Sequence, residues 1–466
     1  MQPRREARFA FVLLTRDGRT ASLSANMLRE TTMLRRFILA AACLLLSVQL
    51  GTADEKTKGK ISIWLGYPET LDAFKLGQAE FKKTYPNVEV EILTFELREF
   101  EAKLAVSVPA GSGPDILALH DFIFPRYYEG GSLADMPADL AQVVNNKAII
   151  DTPFRDIVTR EGKPWGLPWW SGRNGLFYNL DHLQAAGLSG PPKSYAEVWQ
   201  YAEKLTQKNE KGELTRAGIS LRLTGPSGGT QKFGYFYYQL AGVQMFEPGK
   251  KPGTVQVTIA KNIDAAARVL LDHVEHLHGA KKSDDWALKH DAQGFASGAA
   301  SMFMRESWVI PFVKKNGPDV KFGVVPVPRD KAFGAFNAVE VLSVNKDSKL
   351  KDAAWDFIRI LQDQAIVNNV LESSGWVPLR RDRDYGAVLA KEPRFAQMTS
   401  PPSDQVQYIE APNVAYEEMT TRVGEVIQAG FRDASLVGNM DGAKRVMMRA
   451  HDTAVKILKD NGNYSD

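Results

Sequence analysis

Ile61-Ser-Ile-Trp-Leu65 opens the segment that decides the fold, an apolar run of strand character. After it, Leu71, Phe74, Phe81 and Tyr85 fall along one helix face, and Pro86-Asn87 stops that helix. Val88-Glu-Val-Glu-Ile92 alternates as a half-buried strand, and residues 100–108 read as a second helix. Pro114-Asp115 then turns into the apolar strand Ile116-Leu-Ala-Leu119. Strands alternating with helices predict βαβ units and a mostly parallel sheet, hence an α/β fold.

The pattern continues outward. Gly187 is placed to end a short helix, and Ser194-Tyr-Ala-Glu197 is a capping box opening a helix through Leu205. Residues 265–277 and 352–361 are amphipathic, Phe322-Gly-Val-Val325 and residues 339–344 read as strands, and the chain becomes mainly helical after Ala415. No repeat, low-complexity tract or Gly/Ser linker interrupts it, so the expected two domains share several chain crossings.

A second stretch points to function. Gly162-Lys-Pro-Trp-Gly-Leu-Pro-Trp-Trp-Ser-Gly-Arg-Asn-Gly-Leu-Phe-Tyr-Asn179 crowds three tryptophans and an arginine among Gly and Pro. Pro164 and Pro168 break regular structure, and Gly175-Leu-Phe-Tyr178 reads as a short buried strand. The middle is therefore expected to be a loop with exposed aromatics. Indole faces suit the C–H face of a sugar ring, and the competing reading is that Trp165, Trp169 and Trp170 fill a core.

From Met33 the chain carries Arg35-Arg36, an apolar run from Phe37 to Leu46 and Gly51-Thr52-Ala53, the layout of a cleavable secretory signal. Residues 1–53 are accordingly read as a leader with its signal peptide at 33–53, and the exported chain is expected in the periplasm. A lipidated Cys43 would leave only about six apolar residues after Arg36, too few for the apolar region of a signal, so no lipid anchor is expected there. The single cysteine leaves with the leader, so a core rather than disulfides must hold the rest. The leader also carries eight Arg against Glu6, Asp17 and Glu30, so the formal charge of +3 becomes −2. That balance gives no reason to expect nucleic acid as a partner.

The exported part resembles the solute-binding proteins of ABC importers, in the large group taking sugars and polyols. Ala110-Gly-Ser-Gly-Pro-Asp-Ile116 followed by Gly130-Gly-Ser-Leu133 matches one family element. Trp165-Gly-Leu-Pro168, Phe177-Tyr-Asn179, Ala186-Gly-Leu188 and Pro191-Pro192 match its central block. Phe295-Ala-Ser-Gly-Ala-Ala-Ser-Met302 with Trp308, residues 351–357 and Gly375-Trp-Val-Pro378 match later ones. Each piece alone is weak, but their order and spacing are specific. Glu306 departs from the pattern, standing where the family commonly has Gly, as either a hydroxyl acceptor or a solvated charge.

The resemblance implies a two-lobed periplasmic-binding-protein fold, type II-like, with a three-crossing hinge and an interlobe ligand cleft. Crossings mapped by motif fall near Trp169, Asp330 and Val377, so lobe one is 54–168 plus 333–377 and lobe two 169–332 plus 378–466. Loops after strand ends bind ligands in open α/β sheets. The candidate ligand contacts are therefore Trp64, Tyr67, Asp121, Trp169, Trp170, Arg173, Ser227, Glu306, Trp308, Asn337 and Trp376. Asp121 has capping as its alternative role, and Arg173 has pairing with an acid of the other lobe. Trp199, Trp286 and Trp355 are assigned to helix packing.

The implied partners are a carbohydrate or polyol and the permease subunits, with the protein a monomer needing no cofactor. A secreted carbohydrate-active enzyme stays open, as does a carrier of a phosphorylated polyol or acidic sugar, suggested by Arg173 and Ser227-Gly-Gly229. Against catalysis, Asp284-Asp285 and Glu417-Glu418 are adjacent pairs whose side chains diverge, expected to be solvated, and no Gly-x-Ser-x-Gly elbow is present. His273, His276 and His278 share a predicted helix, but His278 lies off the face of the other two, so no metal site is expected and a solvated face is read there.

Overall fold

A computed structural model describes residues 54, 56–223, 225–284 and 290–466. The leader, Asp285 and Trp286 lie outside the described residues. The strands of the main sheet are β1 (Gly59–Leu65), β2 (Val88–Thr94), β3 (Ile116–His120), β4 (Leu167–Asn179), β5 (Met302–Glu306), β6 (Phe322–Val325), β7 (Gly334–Val344), β8 (Val377–Pro378) and β9 (Val406–Tyr408). The longer helices are α1 (Leu71–Thr84), α2 (Leu97–Ser107), α3 (Tyr195–Leu205), α4 (Pro226–Ala241), α5 (Ile263–His278), α6 (Lys351–Ile360), α7 (Tyr416–Phe431) and α8 (Met440–Asp460).

The sheet runs β5-β4-β7-β3-β1-β2, with β6 and β8 also on β4 and β9 on β7. Helical crossovers α1 and α2 make β1 parallel to β2 and β3, as the alternation of elements requires. The rest departs from the mostly parallel expectation. β7 is antiparallel to β3 and β4, and β5, β6 and β8 are antiparallel to β4. The long strands β4 and β7 run through the sheet in opposite directions, while β9 pairs parallel with β7.

β4 is also the main correction at the local level. The stretch read as an aromatic loop is one strand of 13 residues. Every one of its side chains but that of Tyr178 is buried. Pro168 is tolerated at the second position because β4 bulges against β7 between Glu340 and Val341.

Three apolar clusters flank this strand. The first includes Ile61, Phe74, Phe81, Val341 and Trp355 and takes Trp169 and Trp170 from β4. The second includes Trp199, Tyr237, Leu270, Met419 and Met447 and takes Leu176. The third includes Phe295, Phe303 and Phe322 and takes Phe177. β4 thus passes from one core into the others, which is how a mixed α/β chain makes a two-lobed periplasmic-binding-protein fold.

Local chemistry explains several ends. Ser194 accepts a hydrogen bond from the Glu197 amide at 3.2 Å, and Gly187 takes φ +69° past the helix ending at Ala185. Asp115 accepts from the Ser62 amide at 2.8 Å and from Ser348 at 2.6 Å, tying β1 to the turn before α6. Trp199 and Trp355 pack on helices.

The histidines of α5 are not a solvated face. His273 and His276 are buried against Trp199, with ring centroids at 5.5 and 4.6 Å. Burial pulls their pKa values down to about 4 and about 3, so both are neutral core groups. Asp284 is likewise buried, accepting from the Leu221 amide at 2.8 Å. The sequence pattern missed this because the helix packs α3 and α7 on two sides.

Candidate functional site

The loops after β1, β2 and β5 and the amino end of α4 surround a cavity of about 410 Å³. β1 leads into Gly66, Tyr67 and Glu69, and β2 into Glu96 and Arg98. On the other side stand Arg222, Ser227, Gly228 and Lys232, with Arg305, Glu306 and Trp308 at the end of β5. Trp376 and Tyr416 complete the walls. Strand ends converging on one hollow are where an α/β sheet leaves room for a ligand.

An aromatic platform forms one wall. Trp376 stacks on Trp170 at 4.5 Å and 13°, and Tyr67 meets both edge-on at 5.2 and 5.0 Å. The Trp376 indole donates to Glu69 at 3.1 Å, and Tyr67 bonds His120 through its hydroxyl at 3.1 Å. Glycine makes the stack possible: a Cβ on Gly172 would lie 2.4 Å from the Trp376 ring. Gly375, at φ +78°, turns the chain so that the tryptophan faces back over β4.

The facing wall is ionic. Glu306 accepts from Lys232, from Tyr235 at 2.6 Å and from the Trp308 indole at 3.2 Å. Arg305 lies 3.7 Å from Glu306 and 3.5 Å from Asp291, with its guanidinium 5.0 Å above the Trp308 ring. Burial pushes the Glu306 carboxyl up, but Lys232 and Arg305 outweigh it and hold the group below the usual carboxylate range. Burial pulls Lys232 down to about 8 against the attraction of Glu306.

Of the residues expected at the ligand, Tyr67, Ser227, Glu306, Trp308 and Trp376 line this cavity. The other six lie elsewhere in the structure. Trp169 and Trp170 are neighbours on a strand, so they face opposite ways. Trp170 backs the platform, while Trp169 packs on Phe74 at 5.0 Å and donates to the Leu361 carbonyl at 3.4 Å. Trp64 sits beside Phe95 at 5.6 Å.

Asp121 is buried and accepts from the Val339 amide of β7 at 3.4 Å. Burial raises its pKa to about 7. Arg173 is buried beside its register partner Asn337, donating to that side chain at 3.3 Å and to the Met398 carbonyl. Burial lowers its pKa to about 10. Asn337 donates onward to Gln407 at 3.1 Å. Arg173 and Asn337 therefore serve each other.

Glu69, Glu96, Arg98, Arg222, Lys232, Arg305 and Tyr416 are among the cavity groups that sequence reasoning missed. Lys232 had a visible signal, since it is the one charge in the aromatic run Lys232-Phe-Gly-Tyr-Phe-Tyr-Tyr238. Among the described residues no group of three or more His, Cys, Asp and Glu is placed to hold a metal ion, and no helix is long and apolar enough to cross a membrane.

With this geometry in view, residues 78–397 match the bacterial extracellular solute-binding protein family. The chain belongs to that family. This solute-binding protein is 22% identical over 375 residues to the diacetylchitobiose binding protein DasA of Streptomyces coelicolor, covering 74% of this chain and 82% of the relative. It is 23% identical over 395 residues to a lactose-binding protein of Rhizobium radiobacter, covering 80% and 87%. An ABC transporter solute-binding protein of Thermotoga lettingae, solved with α-D-tagatose, superposes with a TM-score of 0.70 at 20% identity, over 86% of this chain and all of that one. These relatives are binding proteins rather than enzymes.

Proposed function

We propose that this solute-binding protein is the substrate-binding component of an ABC importer and that it captures a carbohydrate or polyol in the cavity between its lobes. The observation that carries the reading is the pairing of cavity-lining indole and phenol rings with carboxylates already engaged by the indole N–H groups. Trp376 with Glu69 and Trp308 with Glu306 offer a stacking face beside a hydroxyl acceptor, the combination a sugar ring needs. Relatives named for diacetylchitobiose and lactose binding agree with it.

Lobe one is residues 54–168 plus 333–377 and lobe two 169–332 plus 378–466, with crossings near Trp169, Asp330 and Val377. The split of β4 side chains between cores supports the first crossing. The signal at 33–53 directs a monomeric, non-catalytic protein to the periplasm, where the closed form presents the ligand to the permease subunits. Closing two lobes on a ligand couples occupancy to shape, which a permease can read.

Titration of residues 54–466 with mono- and oligosaccharides, sugar acids and polyols, followed by tryptophan fluorescence, tests the reading. Saturation with the ligand recovered intact is expected. Ligand consumed during the titration refutes a carrier role, and silence across the panel refutes the carbohydrate assignment.

A further inference from the structure

We infer that Phe122 is the positioning residue that holds the occupied cavity shut, and so sets how slowly the sugar leaves, by stacking on Tyr416, with Arg98 as its lesser companion; the inference rests on the lobe and carbohydrate readings above. Phe122 stands two residues past the end of β3 and lines the cavity. Among the described residues it is the one half-buried apolar side chain that packs against both the core holding Trp170 and the core of α7. Its ring stacks on Tyr416, the first residue of α7, with centroids 4.9 Å apart and planes 25° from parallel.

Behind Phe122 the contacts run unbroken into the platform. His120 stacks on Phe122 at 4.9 Å and 7°, and Tyr67 meets His120 edge-on at 4.6 Å. The Tyr67 hydroxyl also pairs with the His120 ring nitrogen at 3.1 Å, and Tyr67 meets Trp376 at 5.2 Å. A sugar lying on Trp376 and Tyr67 therefore rests on the same row of rings that ends at Tyr416. Tyr416 is in turn joined to the facing wall, because α7 also carries Thr420. Its hydroxyl pairs with that of Ser227 at 3.0 Å, and its carbonyl accepts from Thr230 of α4 at 2.9 Å. Moving α7 away from the platform breaks this row at one place, the Phe122–Tyr416 stack.

Arg98 makes the second crossing. It donates to Glu101 of its own helix at 2.6 Å and lies 3.8 Å from Glu417 of α7. An aromatic stack favours the joined form about two- to tenfold beyond the area it buries. An ion pair with side chains 56% and 39% exposed adds about one- to fivefold, and less in salt. The stack is therefore the main hold. Both contacts exist only while the two cores are together, so losing them speeds release and leaves encounter with the sugar unchanged.

Stopped-flow tryptophan fluorescence on the purified protein, with maltose, cellobiose, D-galactose and xylitol as probes, tests this. Phe122→Leu is expected to raise koff about tenfold while kon stays within about twofold. Phe122→Tyr keeps the stack and should return koff close to wild type. Tyr416→Leu should match Phe122→Leu, and the double variant should be little worse than either single one. Arg98→Gln should raise koff about twofold at low salt and not at high salt. An unchanged koff in Phe122→Leu, or single effects that multiply in the double variant, overturns the inference and leaves the carbohydrate reading standing. Silence with every probe and with the wider panel above overturns the carbohydrate reading and the inference with it. A second measurement serves where the Phe122 variants fail to fold. In protein without its leader, which holds the single cysteine, Arg98→Cys with Glu417→Cys creates a unique thiol pair. A short bis-maleimide should join that pair about tenfold faster with sugar bound than without it. Equal rates mean a permanent contact and overturn the inference.

Discussion

Glu306→Gln is the substitution whose cost follows most directly from the ionic wall. The amide keeps the volume but only one acceptor oxygen, so Tyr235 and Trp308, which donate to different oxygens of Glu306, cannot both go on donating, and the charge that holds Lys232 and Arg305 is gone. Lys232, which is buried, would then lose its carboxylate. Removing one member of a buried pair costs about 3–5 kcal/mol. Lys232→Met acts differently, because Glu306 retains Arg305 and two hydrogen bonds, so about 1–2 kcal/mol is expected. The double variant should cost less than the two singles together by about 2 kcal/mol. Urea unfolding followed by tryptophan fluorescence and circular dichroism measures all three. Equal costs for the two single variants, or strict additivity in the double, would refute the account.

Three further outcomes are expected. Burial, with Glu69 nearby, pushes Glu340 up to about 8 from an ordinary 4.5, so the folded chain holds a proton there that the unfolded chain has released. Stability from this group is complete below pH 4.5 and falls by about 4–5 kcal/mol as pH rises to 8. Glu340→Gln should flatten that slope in urea titrations across pH, and an unchanged slope rejects the assignment. Gly172→Ala drives a Cβ into the Trp376 ring, costing about 1–3 kcal/mol and blue- or red-shifting the fluorescence as the Trp170 stack opens; a melting curve and emission spectrum identical to wild type would contradict it. Trp376→Ala should weaken sugar binding by about 2 kcal/mol, near thirtyfold, in calorimetry, and full retention of affinity removes the platform from the site.

Local periodicity made the first βαβ units legible, because α1, α2 and β1 to β3 are each amphipathic or wholly apolar over their own length. What misled was β4. Its glycines, prolines and tryptophans look like loop chemistry, yet Gly172 is there so that Trp376 can approach, and Trp169 and Trp170 both pack into one core. The same limit governs the site. Tyr67 and Trp308 stand beside Pro or Ser after strand ends, and Trp376 stands beside Gly375 just before β8, so all three could be found from those positions. Arg173 and Asn337 lie within β4 and β7, and their mutual bond depends on β4–β7 register, which no local pattern carries. Arg222 and Arg305 meet through Asp291, a contact between segments dozens of residues apart.

The engaged state of the cavity walls bears on how the protein binds at all. Ordering a side chain on binding costs about 0.5–1.5 kcal/mol, so a site of loose aromatics and free charges would spend much of its interaction energy on itself. Here Trp376 is fixed by Trp170 and Glu69, Trp308 by Glu306 and Arg305, and Tyr67 by His120, before any ligand arrives. Each of those contacts joins a loop to a strand or to another loop, so rigidity comes from the fold and not from the ligand. The platform belongs to the core that holds Trp170, whereas Tyr416 on the far side belongs to the core of α7. A ligand touching both therefore joins two surfaces that are each already rigid, and the change left for binding to drive is the approach of one core to the other.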